Sequence, residues 1–283
     1  MIARADTRPL PDRGWGADRH RWDEAYLPGL SVSPDPFLKE YAYLSEEARR
    51  MSPWRDLAYG PAEAERIQFF PAKSPGAPLL VFVHGGYWQE LSEADSAFPA
   101  PGLVARGAAY AALGYGLAPR YRLDEIVDMA RRGVRWLRRN AADLGVDERR
   151  IVLAGHSAGA QLVAMCLDSE PVSAAVLLSG LYELEPLLHT SIGPAIRLTA
   201  EEAERNSPVR TLRPGMPPVL AVRGAGEPIG FADQQDRLVA VARANGLDVT
   251  EMVLPGRHHF DLPMGIGDPA DPLGREVLAL LGV

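Results

Sequence analysis

Gly155-His156-Ser157-Ala158-Gly159 is a G-x-S-x-G pentapeptide lying directly after the apolar run Ile151–Ala154 and directly before Ala160–Leu167. That context puts the serine on a sharp strand-to-helix turn, with a strained backbone that presents its hydroxyl as a nucleophile. Gly155 and Gly159 suit the turn because a side chain at either place would collide across it. The helix that follows offers N–H groups and the positive end of its dipole to a developing oxyanion. The chemistry of such a serine is acyl transfer. A glycine-flanked turn with an idle serine is the blander reading, and the ordered run of strand, turn and apolar helix weighs against it.

A second motif, His84-Gly85-Gly86-Tyr87-Trp88, closes the apolar run Leu79–Val83. Two glycines at a strand end let the backbone approach a ligand and aim N–H groups at it. The motif resembles the oxyanion loop of lipases and esterases. The N–H groups of Gly86, Tyr87 and Ala158 are therefore the candidate oxyanion hole, with His84 organising the loop. Tyr87 and Trp88 could stack on an aromatic substrate, or Trp88 could serve core packing.

A serine alcohol is a poor nucleophile at neutral pH and needs a base, and the base needs an orienting group. In an α/β-hydrolase the chain order is serine, acid, histidine. Beyond Ser157 the histidines are His189, His258 and His259. His189 comes too early, before the later strands. His258 and His259 follow the run ending at Leu254, where the base belongs, and spacing does not choose between them. Glu227, just past Val219–Val222, is the best-placed acid. Asp233 and Asp236 read as a helix N-cap and a solvated helix residue, whereas Asp261 could pair with a neighbouring histidine. The His258-His259-Asp261 group lacks spaced partners for a metal, so none is expected.

These residues need a scaffold. Leu79–Val83, Ala108–Leu113, Ile151–Ala154, Ala174–Leu178, Val219–Val222 and Val249–Leu254 read as strands. Most are continuously apolar, as in a parallel sheet covered on both faces. Asp124–Asn140 and Asp233–Asn245 have helical periodicity, the second with Asp233 as N-cap and Gly246 closing it. The rhythm predicts an α/β, doubly wound, mostly parallel sheet over residues 61–283 with helices on both faces. Residues 1–60 differ: they gather aromatics and prolines, with a short helix near Ser45–Met51. They form either an arm packed on the domain or a lid over a pocket. The irregular stretch from about 182 to 213 reads as a cap-like insertion.

Composition narrows the classes. The chain has 283 residues, 47% hydrophobic and 24% charged, which excludes a disordered or fibrous protein. Lys+Arg of 30 against Asp+Glu of 37 gives a net charge of −7, which argues against nucleic-acid binding. The apolar runs are far shorter than the roughly 20 residues of a membrane span. Met1 to Asp12 is polar without the apolar core of a signal peptide, so a cytoplasmic protein is expected. Lysine is confined to Lys39 and Lys73 amid abundant Ala, Gly and Pro, which suggests a GC-rich bacterial genome. The one cysteine, Cys166, sits in the apolar helix after Ser157 and reads as a small core residue. The basic cluster Arg131, Arg132, Arg135, Arg138 and Arg139 follows Asp124, Glu125 and Asp128 by a turn and reads as a solvated helix face.

Over roughly residues 55–265 the chain resembles the α/β-hydrolase arylformamidases, the kynurenine formamidase-like enzymes. The resemblance is carried by HGGYW at 84–88, YGLAPRYRLDEIV at 115–127, RIVLAGHSAGAQL at 150–162, LSGLYELEPL at 178–187 with SP at 207–208, and GEPIGFADQ at 226–234. It implies a Ser157, Glu227, His259 triad: the family's acid falls on Glu227, with Phe231 and Gln234 as companions. Its terminal G-x-x-H-F pattern falls on Gly256, His259 and Phe260, which favours His259 over His258. Tyr87, Trp88 and Phe231 are then the candidate substrate contacts. The expected activity is hydrolysis of the formyl amide of an aryl amine, N-formylkynurenine being the family's substrate, with no cofactor. A carboxylesterase acting on small aryl or alkyl esters is the alternative, and a catalytically silent binding protein a third reading. The partner is a small molecule, and the sequence leaves monomer or homodimer open.

Overall fold

The computed structural model describes residues 10, 11 and 13–283. The leader expectation, read from residues 1–12, falls almost wholly outside them. Eight strands form: β1 (Arg55–Ala58), β2 (Arg66–Phe70), β3 (Ala77–Val83), β4 (Ala109–Leu113), β5 (Val146–His156), β6 (Ala174–Leu178), β7 (Val219–Gly224) and β8 (Val249–Leu254). They make one sheet in the order β1-β2-β4-β3-β5-β6-β7-β8. β1 and β2 pair antiparallel at one edge, and every pairing from β4 to β8 is parallel.

The helices are α1 (Arg19–Tyr26), α2 (Asp35–Met51), α3 (Ala100–Ala105), α4 (Leu123–Arg139), α5 (Ala158–Cys166), α6 (Ile192–Ala195), α7 (Ala200–Arg205), α8 (Ile229–Ala244) and α9 (Pro272–Leu281). Successive β3 residues point to opposite faces, and two cores follow from that alternation. Leu79, Val81 and Val83 join α4, α5 and α8 in one core; Leu80 and Phe82 join α3 and α9 in the other. All seven β3 residues are therefore buried. This covering of both faces is why the strands read as unbroken apolar runs rather than alternating ones.

The elements that sequence reading missed or shortened are those with little apolar content. β1 is an edge strand, mostly exposed, and α1 (RHRWDEAY) is polar. A side-chain cap from Asp18 opens α1, and its Trp22 packs edge-on against Trp15. The short helix placed at Ser45–Met51 is the last part of α2, whose seventeen residues begin behind Pro34. α8 likewise starts earlier than expected, with Pro228 at its N-cap, so Asp233 is an interior helix residue. Its carboxylate instead takes a forked salt bridge from Arg13.

The basic face of α4 is paired across the molecule. Arg131 reaches Asp168, Arg132 reaches the fully buried Glu65, and Arg135 and Arg138 share Glu170. Intrahelical pairing with Asp128 is a minor contact at 3.9 Å, made by Arg131. Cys166 is buried, and burial pushes its thiol up to about 12, as suits an inert core residue. Among the described residues no helix is long and apolar enough to cross a membrane, and no group of His, Cys, Asp or Glu is arranged to hold a metal ion.

Candidate active site

β5 ends at His156 and α5 begins at Ala158, leaving Ser157 alone at the turn. Its backbone sits at φ +56°, ψ −119°, a conformation that L residues avoid and that only a well-fixed surround sustains. The surround is visible. The Ser157 N–H donates to the Leu178 carbonyl at 2.8 Å, on neighbouring β6. A Cβ on Gly155 would come within 2.3 Å of the Gly159 carbonyl oxygen, and one on Gly159 within 2.1 Å of that of Val83. The side-chain-free glycines are thus a steric requirement of the turn.

The candidate base and acid come from the loops after β8 and β7. His259 Nδ1 lies 2.9 Å from Glu227 Oε2. An ionised carboxylate only accepts, so Nδ1 carries the proton and Nε2 keeps the lone pair a base requires. The other carboxylate oxygen, Oε1, accepts from the Ser179 hydroxyl at 2.5 Å and from the Gly224 N–H at 2.7 Å. Burial alone would push the Glu227 carboxyl up. The hydrogen bond and charge of His259, with Ser179 and Gly224, more than offset that and bring it below its ordinary value. Of the alternatives, His258 pairs with Asp261, which also accepts the His258 N–H at 2.9 Å and so shapes the loop. His189 is elsewhere, stacked on Trp22 with ring centroids 5.0 Å apart.

The glycine loop holds three consecutive residues at positive φ: Gly86 at 89°, Tyr87 at 48° and Trp88 at 59°. Among the described residues, the N–H groups of Gly86, Tyr87 and Ala158 donate no hydrogen bond. His84 lies beneath, its ring stacked on Tyr115 at 4.1 Å, while the Tyr115 hydroxyl bridges the carbonyls of His84 and Gly85. That is the loop-organising position expected of it.

Ser157, His259, Gly86 and Tyr87 all line one cavity of about 230 Å³. The wall opposite the sheet comes from the N-terminal segment: Leu27, Pro28, Gly29, Leu30, Pro34, Leu38 and Tyr41. Ile192 of the segment after β6 adds to it. Residues 27–41 therefore cover the site as well as packing on the domain.

The chain is similar to known proteins in both sequence and fold. A family model described as the alpha/beta hydrolase fold matches residues 80–261. A kynurenine formamidase of Danio rerio is 38% identical over 167 residues, 56% of either chain. One of Salmo salar is 31% identical over 243 residues, 80% of this chain and 81% of that one. The chain belongs to the kynurenine formamidase family. The structure of a Silicibacter sp. protein described as a thioesterase superposes with a TM-score of 0.78 at 28% identity, over 92% of this chain and 98% of that one.

In this member of the kynurenine formamidase family, Ser157, His259, Gly86 and Tyr87 line one cavity and Glu227 is seated against His259. Two candidate substrate contacts lie elsewhere. Trp88 is fully buried outside the cavity lining, its indole N–H donating to Gln161 Oε1 at 3.1 Å. Gln161 in turn donates to the Asn206 carbonyl at 2.8 Å, tying the glycine loop to the segment after β6. Phe231 is also buried behind the site, its ring 4.6 Å from that of His259. Both act on the site through packing. Two contributors escaped sequence reading: Ser179, which holds the acid, and His156, whose ring reaches the base loop. Their one sequence signal is position, since Ser179 follows the carboxyl end of a parallel strand and His156 ends one, where such sheets build sites.

Proposed function

We propose that the protein hydrolyses the formyl amide of an aryl amine, N-formylkynurenine or a related aryl formamide, releasing the arylamine and formate. The observation that carries this is that His259, paired with the buried Glu227, lines one cavity with Ser157 and the Gly86–Tyr87 loop in a chain of this family. Ser157 attacks the formyl carbon as His259 Nε2 takes its proton, and Glu227 holds the imidazole tautomer and stabilises the imidazolium. The tetrahedral oxyanion is met by the N–H groups of Gly86, Tyr87 and Ala158, each such donor being worth about 3 kcal/mol. His259 then gives the proton to the departing aniline nitrogen, leaving a formyl ester on Ser157. Water, deprotonated by His259, attacks that ester, and His259 returns the proton to the departing Ser157 oxygen as formate is released. The same reading sets the reaction in the cytoplasm, where a lone thiol such as Cys166 stays reduced.

The test is kcat/KM on N-formylkynurenine and on formanilide against p-nitrophenyl acetate, with fluorophosphonate labelling of Ser157 alongside. Formamide turnover well above that of the ester supports the reading. Fast ester cleavage with negligible formamide turnover would discard the substrate class and keep the hydrolase, and an unlabelled Ser157 in folded protein would discard the triad.

A further inference from the structure

The carboxyl end of β6 reaches two members of the triad at once. Its last residue, Leu178, accepts the Ser157 N–H at its carbonyl, 2.8 Å away. The next residue, Ser179, donates its hydroxyl to Glu227 Oε1 at 2.5 Å. Ser179 is buried, and its own N–H donates to the Val222 carbonyl of β7 at 2.8 Å. Its backbone lies in the left-handed region, at φ +49°, which residues other than glycine adopt rarely and at a cost. Glycine would suit this backbone better. What serine adds there is a hydroxyl bonded to the acid.

The acid being a glutamate makes that hydroxyl matter, because the torsion that turns its carboxylate is broad and weakly fixed. The Glu227 side chain is 1% exposed, and His259 Nδ1 meets its Oε2 while Ser179 and the Gly224 N–H meet its Oε1. Gly224 stands three positions before Glu227, so its bond closes a local turn that moves with the acid. Ser179 comes from 48 positions away, directly behind the carbonyl that seats the nucleophile. We propose that Ser179 is a positioning residue, its hydroxyl holding the Glu227 carboxylate against His259 and, through Leu178, in register with Ser157. The proposal rests on the triad reading and adds to it the group that orients the acid. Without that hydroxyl Oε1 keeps only the donor of its own turn, and the carboxylate swings. Oε2 then leaves the line to Nδ1, and the imidazole loses the group that fixes its tautomer. Ser179 lies outside the cavity lining, so its loss acts on the chemical step rather than on holding substrate.

The test compares Ser179→Ala, Ser179→Gly, Glu227→Ala and the double variant of Ser179→Ala with Glu227→Ala, on formanilide and on p-nitrophenyl acetate. Each Ser179 variant should lose about 30-fold in kcat, the rate equivalent of one hydrogen bond to a charged group, with KM nearly unchanged. Their stabilities should differ, with Ser179→Gly unfolding at higher urea than Ser179→Ala because glycine relieves the positive φ. Equal kcat at unequal stability separates a lost hydroxyl from a loosened fold. Glu227→Ala should cost on the order of 10⁴-fold, and adding Ser179→Ala to it should cost almost nothing more, since no carboxylate is left to orient. Native kcat in both Ser179 variants would overturn the proposal, as would recovery in Ser179→Gly alone. A further loss of the same size in the double variant would overturn it too, by showing that Ser179 acts elsewhere than on the acid. A Glu227→Ala variant with native kcat would remove the triad reading and this proposal with it. Loss of formanilide turnover alone bears on the substrate, and the same criteria are then read on the ester.

Discussion

His156 Nε2 lies 2.9 Å from the backbone carbonyl of His259, so the residue before the nucleophile clamps the residue proposed as its base. A carbonyl only accepts, so His156 carries its proton on Nε2 and donates it. The two rings also pack, with centroids 4.6 Å apart. One side chain thereby fixes the distance between two loops that are 103 positions apart in the chain.

Replacing that clamp should slow chemistry without emptying the site. His156→Leu keeps bulk and loses the hydrogen bond, letting the His259 loop drift. Misplacement of a catalytic group by about 1 Å can cost on the order of 100-fold in rate. We expect kcat to fall by about that factor while KM changes little. A variant that folds normally and retains wild-type kcat would show that Glu227 and the loop position His259 unaided.

The positive φ of Ser157 gives a second expectation. Strain of that kind costs about 1–3 kcal/mol, and glycine relieves it at an entropic cost of about 0.5–1 kcal/mol. Ser157→Gly should therefore be inactive yet more stable than the native protein by about 1 kcal/mol, read as the urea midpoint at constant m. Ser157→Ala should be equally inactive but retain the strain. An equal or lower stability for the glycine variant would mean that the turn is not strained.

The sheet was legible because its residues obey one rule: strands covered on both faces are apolar throughout, as β3 and β6 are. Ser157 and the glycine loop were legible for a related reason, since their motifs encode backbone requirements that local sequence must satisfy. His259, by contrast, could not be separated from His258 by spacing. Adjacent residues in a loop can each face either way, and only Glu227 and the ring of Phe231 around His259 decide it. Trp88 was ambiguous because an indole suits a substrate or a core equally well. Its N–H found a buried partner in Gln161, a contact spanning 73 positions. The polar α1 and the exposed β1 are stabilised by tertiary packing, which local periodicity does not report.

Two buried histidines make stability pH-dependent with a defined sign. Burial lowers His84 to about 4, partly offset by its hydrogen bond to the Gly85 carbonyl, and burial with the neighbouring charge of His259 brings His156 well below its ordinary value. In the unfolded chain each titrates near 6.5, so below that pH the unfolded state binds more protons and stability falls. The loss begins as pH drops through about 6.5, and His84 alone contributes about 3 kcal/mol by pH 4. Glu227, whose carboxyl is lowered, adds its own loss only below about 4.5. Urea melts at pH 7.5, 6 and 5 should show the decline, and His84→Asn, which keeps a donor toward Gly85, should flatten it. A stability that stays level from pH 7.5 to 5 would mean that these imidazoles are not held neutral by the fold.

The N-terminal segment is joined to the site by a pair of tyrosines that point in opposite directions. Tyr41 of α2 donates its hydroxyl to the carbonyl of Phe260, next to His259, and Tyr87 of the glycine loop donates to the carbonyl of Tyr26 in α1. Each bond ties the apolar wall to one half of the reacting apparatus. Removing such a bond costs about 1 kcal/mol. Tyr41→Phe and Tyr87→Phe keep the rings and lose the hydroxyls, so the wall should loosen while Ser157, His259 and the backbone N–H groups stay in place. We expect KM to rise about fivefold in each variant and more in the double variant, with kcat nearly unchanged and labelling by a small fluorophosphonate preserved. A fall in kcat with KM unchanged would instead mean that these hydroxyls fix the oxyanion loop and the base, and that residues 27–41 contribute little to holding substrate.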